Sequence, residues 1–544
     1  METPLKIDLK EVKFNVQRAL YDCTVRGLHH SAKWLAEICH CLKNVKSDIY
    51  IPKEPVVIPE EYDNYILAKS YFDLKEYDRC AFYSSNCNSP CIKFLHINSK
   101  YLSLERKKID NLTELFCGPE PKLSSELQHL CTELRALYVK HKLDSYCMYL
   151  YGVVLKRLDL LDDARTVLAE AVNLEPLHWG AWMELAMLTT DRTKLRSLVL
   201  PTHWIKHFFL AHTFLEQQMN DEALEIYYEM QKSGFSESTY LLAQIAIAYH
   251  NKRDVAEAID TFKRLRKLDP YRLDNMDVLS NLLYVREMKV ELAYLAQEAS
   301  EIDKYRVETC CVIGNYYSLR MEHQKAVVYF QRALKLNPQY LSAWTLMGHE
   351  YMEMKNTNAA IQSYRQAIEV NRRDYRAWYG LGQTYEILKM PYYSLYYYKQ
   401  AQLLRPNDAR MLIALGETYE RLEKIQEALK CFYKARNVGD IDGSAILKLA
   451  KLYDKLGDSD QACSAFTEFV NENDQVLTAD NKTELSQAYK YLANYHLNKN
   501  QLDLAYSFAQ KCLNFEETKE EGQNLLKTIS QKTGQDEEKE MQIT

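Results

Sequence analysis

No stretch of eighteen consecutive apolar residues interrupts the 544-residue sequence, so no segment reads as a membrane-spanning helix. The first residues, METPLKIDLKEVKF, lack a long apolar core and predict no secretory signal. Positive charge is not in excess: 69 Lys and Arg stand against 75 Asp and Glu, a formal net charge of −6. That balance offers no basic field to attract nucleic acid, and local clusters such as the one at 263–267 read as solvated helix faces. The 14 cysteines contain no CxxC pair and scatter beside apolar residues, as in Cys310-Cys311 and Cys431. This predicts free, mostly buried thiols in a reducing compartment. The sequons at Asn111 and Asn481 read as coincidental without a secretion route.

The signatures of catalysis and metal binding are also missing. His349-Glu350 begins a zincin-like HExxH, but the second histidine is absent. Gly380-Leu381-Gly382 begins a phosphate loop whose third glycine is replaced by Tyr385, and no strand is expected before it. Cys39-His40-Cys41 and the Cys87/Cys91 pair are the nearest approaches to a ligand cluster, whereas tetrahedral zinc needs two pairs at fitting separations. No GxSxG elbow occurs. The sequence reads as non-enzymatic, with no metal and no cofactor.

What the chain has instead is a period. Residues 307–340, VETCCVIGNYYSLRMEHQKAVVYFQRALKLNPQY, carry a skeleton of Ile313-Gly314, Tyr317, Ala326, Phe330, Ala333 and Pro338. Small residues at Gly314 and Ala326 let two helices cross closely, Tyr317 and Phe330 fill the space beside the crossing, and Pro338 stops the second helix. Starts of equivalent units fall at Thr239, Leu273, Val307, Leu341, Tyr375, Ala409 and Gly443, each 34 residues after the last. Six of these units repeat the small/aromatic pair: Ala258/Phe262, Ala326/Phe330, Ala360/Tyr364, Ser394/Tyr398, Ala428/Phe432 and Ala462/Phe466. The unit from Leu273 is weak, with Tyr284 and Ala293 one residue out of place. The period and skeleton resemble the tetratricopeptide (TPR) helix–turn–helix, so the expected fold is an all-α TPR solenoid wound as a right-handed superhelix. Most of the 41 tyrosines read as packing between repeats rather than as platforms for bases.

The organisation follows in order. Residues 1–50 form a helical, repeat-like segment, and 51–60 a linker stiffened by Pro52, Pro55 and Pro59. Residues 61–238 form an irregular N-terminal array in which the period is lost over 86–140 and again over 177–200. Residues 239–476 form the regular superhelix, 477–530 terminal repeat-like helices, and 531–544 a polar, frayed tail. The proline of Pro338 is missing in the units from Leu341 and Ala409, where Arg372 and Asp440 stand.

TPR geometry places the first helices along an inner groove, which brings Asn315, His349, Glu353, Gln383 and Glu386 inward, with Glu350 at the edge. Amides bond a peptide backbone, and a carboxylate takes an arginine as a bidentate pair, so the groove suits an extended peptide carrying a cation.

Several stretches resemble more than a generic repeat. RVETCCVIGNYYSLR at 306–320, the run over 334–391, NMDVLSNLLYVREMK at 275–289, GLHHSAKWLAE at 27–37 and LAKSYFDLKEYDRC at 67–80 resemble the subunit-eight family of the anaphase-promoting complex, or cyclosome. The resemblance implies a non-catalytic scaffold of a multi-subunit ubiquitin ligase in the cell cycle, found in nucleus and cytoplasm. It implies a homodimer joined through N-terminal repeats, to which Trp34, Leu35, Tyr71 and Tyr77 are assigned. It also implies neighbouring TPR subunits, small accessory chains, and propeller-type co-activators whose arginine-bearing C-box enters the groove; the groove lining read above assigns that contact to Asn315, His349, Glu350, Glu353, Gln383 and Glu386. The alternative is a TPR co-chaperone adaptor, which needs Lys and Arg along the groove to clamp acidic tails.

Overall fold

The computed structural model describes residues 7–46, 50, 52, 57–114, 121–189, 191–439, 443–473 and 482–543. Among them the regular elements are helices, with no strand, and they gather into two compact units, Met1–Arg286 and Glu287–Thr544.

The period is visible in the coordinates as a steric rule. In the second unit, first helices Val307–Leu319, Leu341–Glu353, Tyr375–Ile387, Ala409–Arg421 and Ser444–Leu456 alternate with second helices His323–Leu336, Thr357–Val370, Pro391–Leu404, Ile425–Val438 and Ser459–Asn473. A methyl group built on Gly314 would lie 2.5 Å from the Phe330 ring, and one on Gly348 the same distance from Tyr364; Gly382 faces Tyr398 and Gly416 faces Phe432 in the same way. All four rings are fully or almost fully buried. The glycine is therefore a condition of the helix crossing, because carbon atoms attract only beyond about 3.5 Å.

In the weak repeat from Leu273 the sizes at these places are exchanged. Leu292 is buried where other units have alanine, Ala296 where they have the aromatic ring, and Ser280 where they have glycine. Its first helix begins late, at Met276, after Asn275 adopts a left-handed conformation.

Between the helices of each unit the chain turns through one left-handed residue. Arg253, Met321, Lys355, Lys389, Glu423 and Gly457 all have φ between 57 and 77°, and their positions keep the 34-residue phase. After two of the second helices, His323–Leu336 and Thr357–Val370, another device recurs. The indole Nε1 of Trp344 donates to the Pro338 carbonyl at 2.8 Å, and that of Trp378 to the Arg372 carbonyl at 2.9 Å. The turn thus survives the loss of proline, because a side-chain donor holds the same carbonyl; the place of Asp440 lies outside the described residues.

The first unit is less regular. Long helices Pro90–Glu114 and Pro121–Val139 fill the stretch where the period fails, and the region of Trp179 ends in a five-residue helix, Arg192–Arg196. The N-terminal helices Leu9–Val25 and His29–Cys41 pair with one another, and the second packs against the first helices Trp179–Leu188 and Thr239–Lys252. Trp34 stacks on Trp179 with ring centres 4.4 Å apart, edge-on to Phe208 and Tyr240. Salt bridges from Lys33 to Asp274 at 2.6 Å and from Arg272 to Glu37 at 3.6 Å fasten the pair further along. These contacts tie the repeat from Thr239 into the first unit, so the compact units divide at 286/287 whereas the regular phase begins at 239.

At the other end, the helix Lys519–Ile543 runs through most of the segment read as a frayed tail. Its Glu, Lys and Gln residues are strong helix formers, which explains a polar segment that is nonetheless regular.

Candidate functional site

The inner row of the second unit is built from first helices whose neighbours pack on one another, Val307–Leu319 on Leu341–Glu353, and Leu341–Glu353 on Tyr375–Ile387. Six residues were expected to present themselves here, and the structure separates them. Glu353 and His349 are exposed, Gln383 and Glu386 are half-buried, and Asn315 and Glu350 are buried.

Glu350 is held inside the protein. It is 5% exposed, Ser318 Oγ donates to its Oε1 at 2.6 Å, and His323 Nδ1 contacts its Oε2 at 2.8 Å. Both oxygens thus have internal partners, and a ligand cation would have to displace His323 to reach the carboxylate. Glu386 is engaged differently. The Tyr398 hydroxyl donates to its Oε2 at 2.6 Å, while Arg421 forms a salt bridge to its Oε1 at 2.6 Å. Burial, and then the Glu386 carboxylate, push the Tyr398 pKa up, so the hydroxyl keeps its proton and orients the carboxylate.

The same ion pairing continues along the row. Glu417 pairs with Lys448 at 2.7 Å, and Glu420 pairs with Lys455. Twice, at Glu386–Arg421 and Glu420–Lys455, the carboxylate is the twelfth residue of one unit and the cation the thirteenth of the next, an offset of 35 residues. Arg376 and Arg410 lie beside Asp374 and Asp408 at 3.4 and 3.7 Å. Glu353 differs: among the described residues it has neither a hydrogen bond nor an ion pair. Beside it on the helix, His349 Nδ1 lies 2.9 Å from the Tyr364 hydroxyl. His349 is exposed yet crowded by protein, and that crowding together with the Arg376 guanidinium pushes its pKa down, so the ring is neutral at physiological pH.

The residues that sequence reading missed are the internal counter-ions Arg421, Lys448, Lys455 and His323. For Arg421 and Lys455 the signal was present as a Glu-to-Lys/Arg offset one residue longer than the repeat.

The residues assigned to dimerisation also separate. Trp34 and Leu35 turn inward and belong to the first unit's own core, which corrects their assignment to a surface. Their helix buries its apolar face against the inner row rather than presenting it. Tyr71 and Tyr77 are half-buried on the hairpin Tyr62–Asp73/Tyr77–Tyr83, where Arg79 lies over the Tyr71 ring at 4.0 Å. The same hairpin exposes Tyr62, Ile66, Leu74 and Phe82, the last at 73%.

The cysteine clusters do not converge on a metal site. Cys87 and Cys91 are buried, burial pushes the Cys91 thiol up to about 11, and no group of metal-ligating side chains occurs among the described residues.

Repeated helical hairpins with this crossing rule define a TPR scaffold, and TPR family models match residues 307–340, 348–387, 409–435 and 444–475. Residues 11–246 match the family described as anaphase promoting complex subunit 8 / Cdc23. The cell division cycle protein 23 homolog of Homo sapiens is 51% identical over 300 residues, covering 54% of this chain and 50% of that protein. Anaphase-promoting complex subunit 8 of Dictyostelium discoideum is 38% identical over 354 residues, covering 54% of this chain and 60% of its own. Over these stretches the chain is similar to the subunit 8 / Cdc23 family, in line with its sequence resemblance. It spans about half the length of the curated relatives it matches. A crystal structure of the APC/C hetero-tetramer Cut9-Hcn1 shares the fold, with a TM-score of 0.52 at 18% identity over 87% of this chain and 97% of that one.

Proposed function

We propose that the chain is a non-catalytic scaffold subunit of an anaphase-promoting complex, acting in cell-cycle-regulated protein degradation, and that the inner row of its second unit docks the arginine-bearing C-box of propeller-type co-activators. The observation that carries the docking is Glu353, an exposed carboxylate without an internal partner in a row whose other carboxylates are largely engaged. Exposed His349 and half-buried Gln383 supply neutral polar groups for a peptide backbone. The co-chaperone reading needs unpaired cations, and Arg376, Arg410, Arg421, Lys448 and Lys455 all have acidic neighbours.

Fluorescence anisotropy of a labelled C-box peptide with the full chain tests the docking. Glu353→Lys is expected to weaken binding at least about tenfold, since a charge-assisted bond is worth roughly 1.5–3 kcal/mol and the lysine adds repulsion. Unchanged affinity in a variant with a wild-type circular dichroism spectrum refutes the assignment.

The homodimer belongs to the same proposal. An exposed apolar hairpin bearing Leu74 and Phe82 supports a second copy as its occupant. Sedimentation velocity is expected to show a dimer that Leu74→Glu/Phe82→Glu converts to monomer; a doubly substituted chain that still sediments as a dimer removes this face from the interface. Nuclear and cytoplasmic residence is part of the reading, and imaging of the fluorescently tagged chain checks it.

A further inference from the structure

The Glu386–Arg421 pair lines a cavity of about 340 Å³ together with Met390, Pro391, Ser394 and Thr418. Three features of the pair do not fit a purely structural salt bridge. Its carboxylate is positioned without help from the cation, because the buried Tyr398 hydroxyl already holds Oε2 and leaves Oε1 directed at the guanidinium. Its cation is loosely held, for the Arg421 side chain is 54% exposed against 22% for Glu386. Its surroundings accept an aliphatic stem, since Met390 and Pro391 offer apolar surface beside the carboxylate.

We infer that Arg421 is an internal competitor: in the free chain its guanidinium occupies the place on Glu386 that a peptide arginine takes on binding, and docking is an exchange of one guanidinium for another. The inference rests on the reading of this row as a site for a cation-bearing peptide. Exchange is physically cheap because an exposed ion pair is weak, while the oriented carboxylate and the cavity persist when Arg421 swings into solvent. Arg421 and the neighbouring Lys389 also raise the local positive charge, so an incoming arginine is disfavoured until Arg421 leaves. Arg421 thereby sets the affinity of the groove downward and makes engagement reversible.

The test measures binding of a C-box peptide with two arginines, and of the form with both arginines replaced by alanine, to the full chain and to Arg421→Gln, Glu386→Gln and the double variant, with circular dichroism as a check on folding. Arg421→Gln is expected to tighten binding about two- to fivefold, the range set by the strength of an exposed pair. Glu386→Gln weakens it, and the double variant shows no gain from the Arg421 change. An alanine peptide that binds as well as its parent overturns the groove reading and the exchange with it. Arginine-dependent binding that Arg421→Gln leaves unchanged or weakens overturns the exchange alone.

Discussion

Gly314→Ala ought to change sign according to what stands at position 330. In the wild-type chain the new methyl group would meet Phe330 at 2.5, 2.7 and 3.0 Å, and the ring is completely buried, so the helices must spread. Overpacking of this kind costs about 1–3 kcal/mol, and the better helix propensity of alanine returns about 1 kcal/mol. The lower part of the range is expected, because Ala246 and Ala450 occupy the corresponding places opposite Phe262 and Phe466 and show that the crossing can widen. The net effect is a destabilisation of up to about 1 kcal/mol. In a Phe330→Ala background, itself destabilised by about 3–5 kcal/mol, the clash is gone and the same substitution stabilises by about 1 kcal/mol. The chain contains its own precedent, since Ser280 stands at the glycine place of the one regular unit whose ring place holds alanine, Ala296. Hydrogen exchange read by mass spectrometry on helices Val307–Leu319 and His323–Leu336 measures this locally, which suits an array that need not unfold in one step. Equal effects of Gly314→Ala in both backgrounds would refute the steric rule.

Three further perturbations probe other parts of the argument. At the left-handed turns, Gly457→Val is expected to destabilise by about 1–2 kcal/mol in urea unfolding, whereas Met321→Gly is neutral or stabilising, because only the first adds a side chain where φ is positive. His178 is buried with neither ring nitrogen hydrogen-bonded, and burial, then Arg26, push its pKa from 6.5 down to about 3. The unfolded chain therefore takes up this proton first, so the contribution to stability is complete above about pH 6.5 and is lost as the pH falls towards about 3, at up to about 1.4 kcal/mol per unit. Urea midpoints at pH 7.5 and 5.5 are expected to converge in His178→Phe relative to wild type, and an unchanged pH dependence contradicts the burial argument. Trp34→Ala removes the ring stacked on Trp179 and is expected to cost about 3–5 kcal/mol and to lower exchange protection throughout helix His29–Cys41; a change confined to oligomeric state, with protection intact, would place Trp34 on a surface after all.

Much of the fold was legible because the repeat encodes sterics in adjacent places. Gly314 and Phe330 lie 16 residues apart in one hairpin, so the period, the helix starts at Val307, Leu341, Tyr375 and Ala409, and the close crossing follow from one another. The weak repeat was misread at Tyr284 and Ala293 because its buried positions, Leu292 and Ala296, carry the large and small residues in reverse order. The N-terminal helices were recognised as helices, but their destination was not, since an apolar face such as that of Trp34 and Leu35 has the same pattern whether it meets its own chain or another.

The groove shows the same limit for charge. Position along a helix says that Glu350, Glu353 and Glu386 share one broad face, but not which of them is spent. Glu350 differs from Glu353 by less than one helical turn, and that difference turns one carboxylate towards Ser318 and His323 and leaves the other in solvent. Glu386 is decided by a residue in the next unit, Arg421. The consequence is a gradient along the row: a free carboxylate at Glu353, then a carboxylate occupied by a displaceable guanidinium at Glu386, then pairs with Lys448 and Lys455. A cation-bearing peptide that approaches such a row meets Glu353 without competition and Glu386 only by exchange. Glu353→Gln should therefore slow association and lower affinity in every background, whereas Glu386→Gln should lose most of its effect on affinity once the peptide has only one cation and Glu353 is intact. Stopped-flow binding of peptides with one and with two arginines separates the two steps, and a single-arginine peptide that depends on Glu386 more than on Glu353 would reverse this order of engagement.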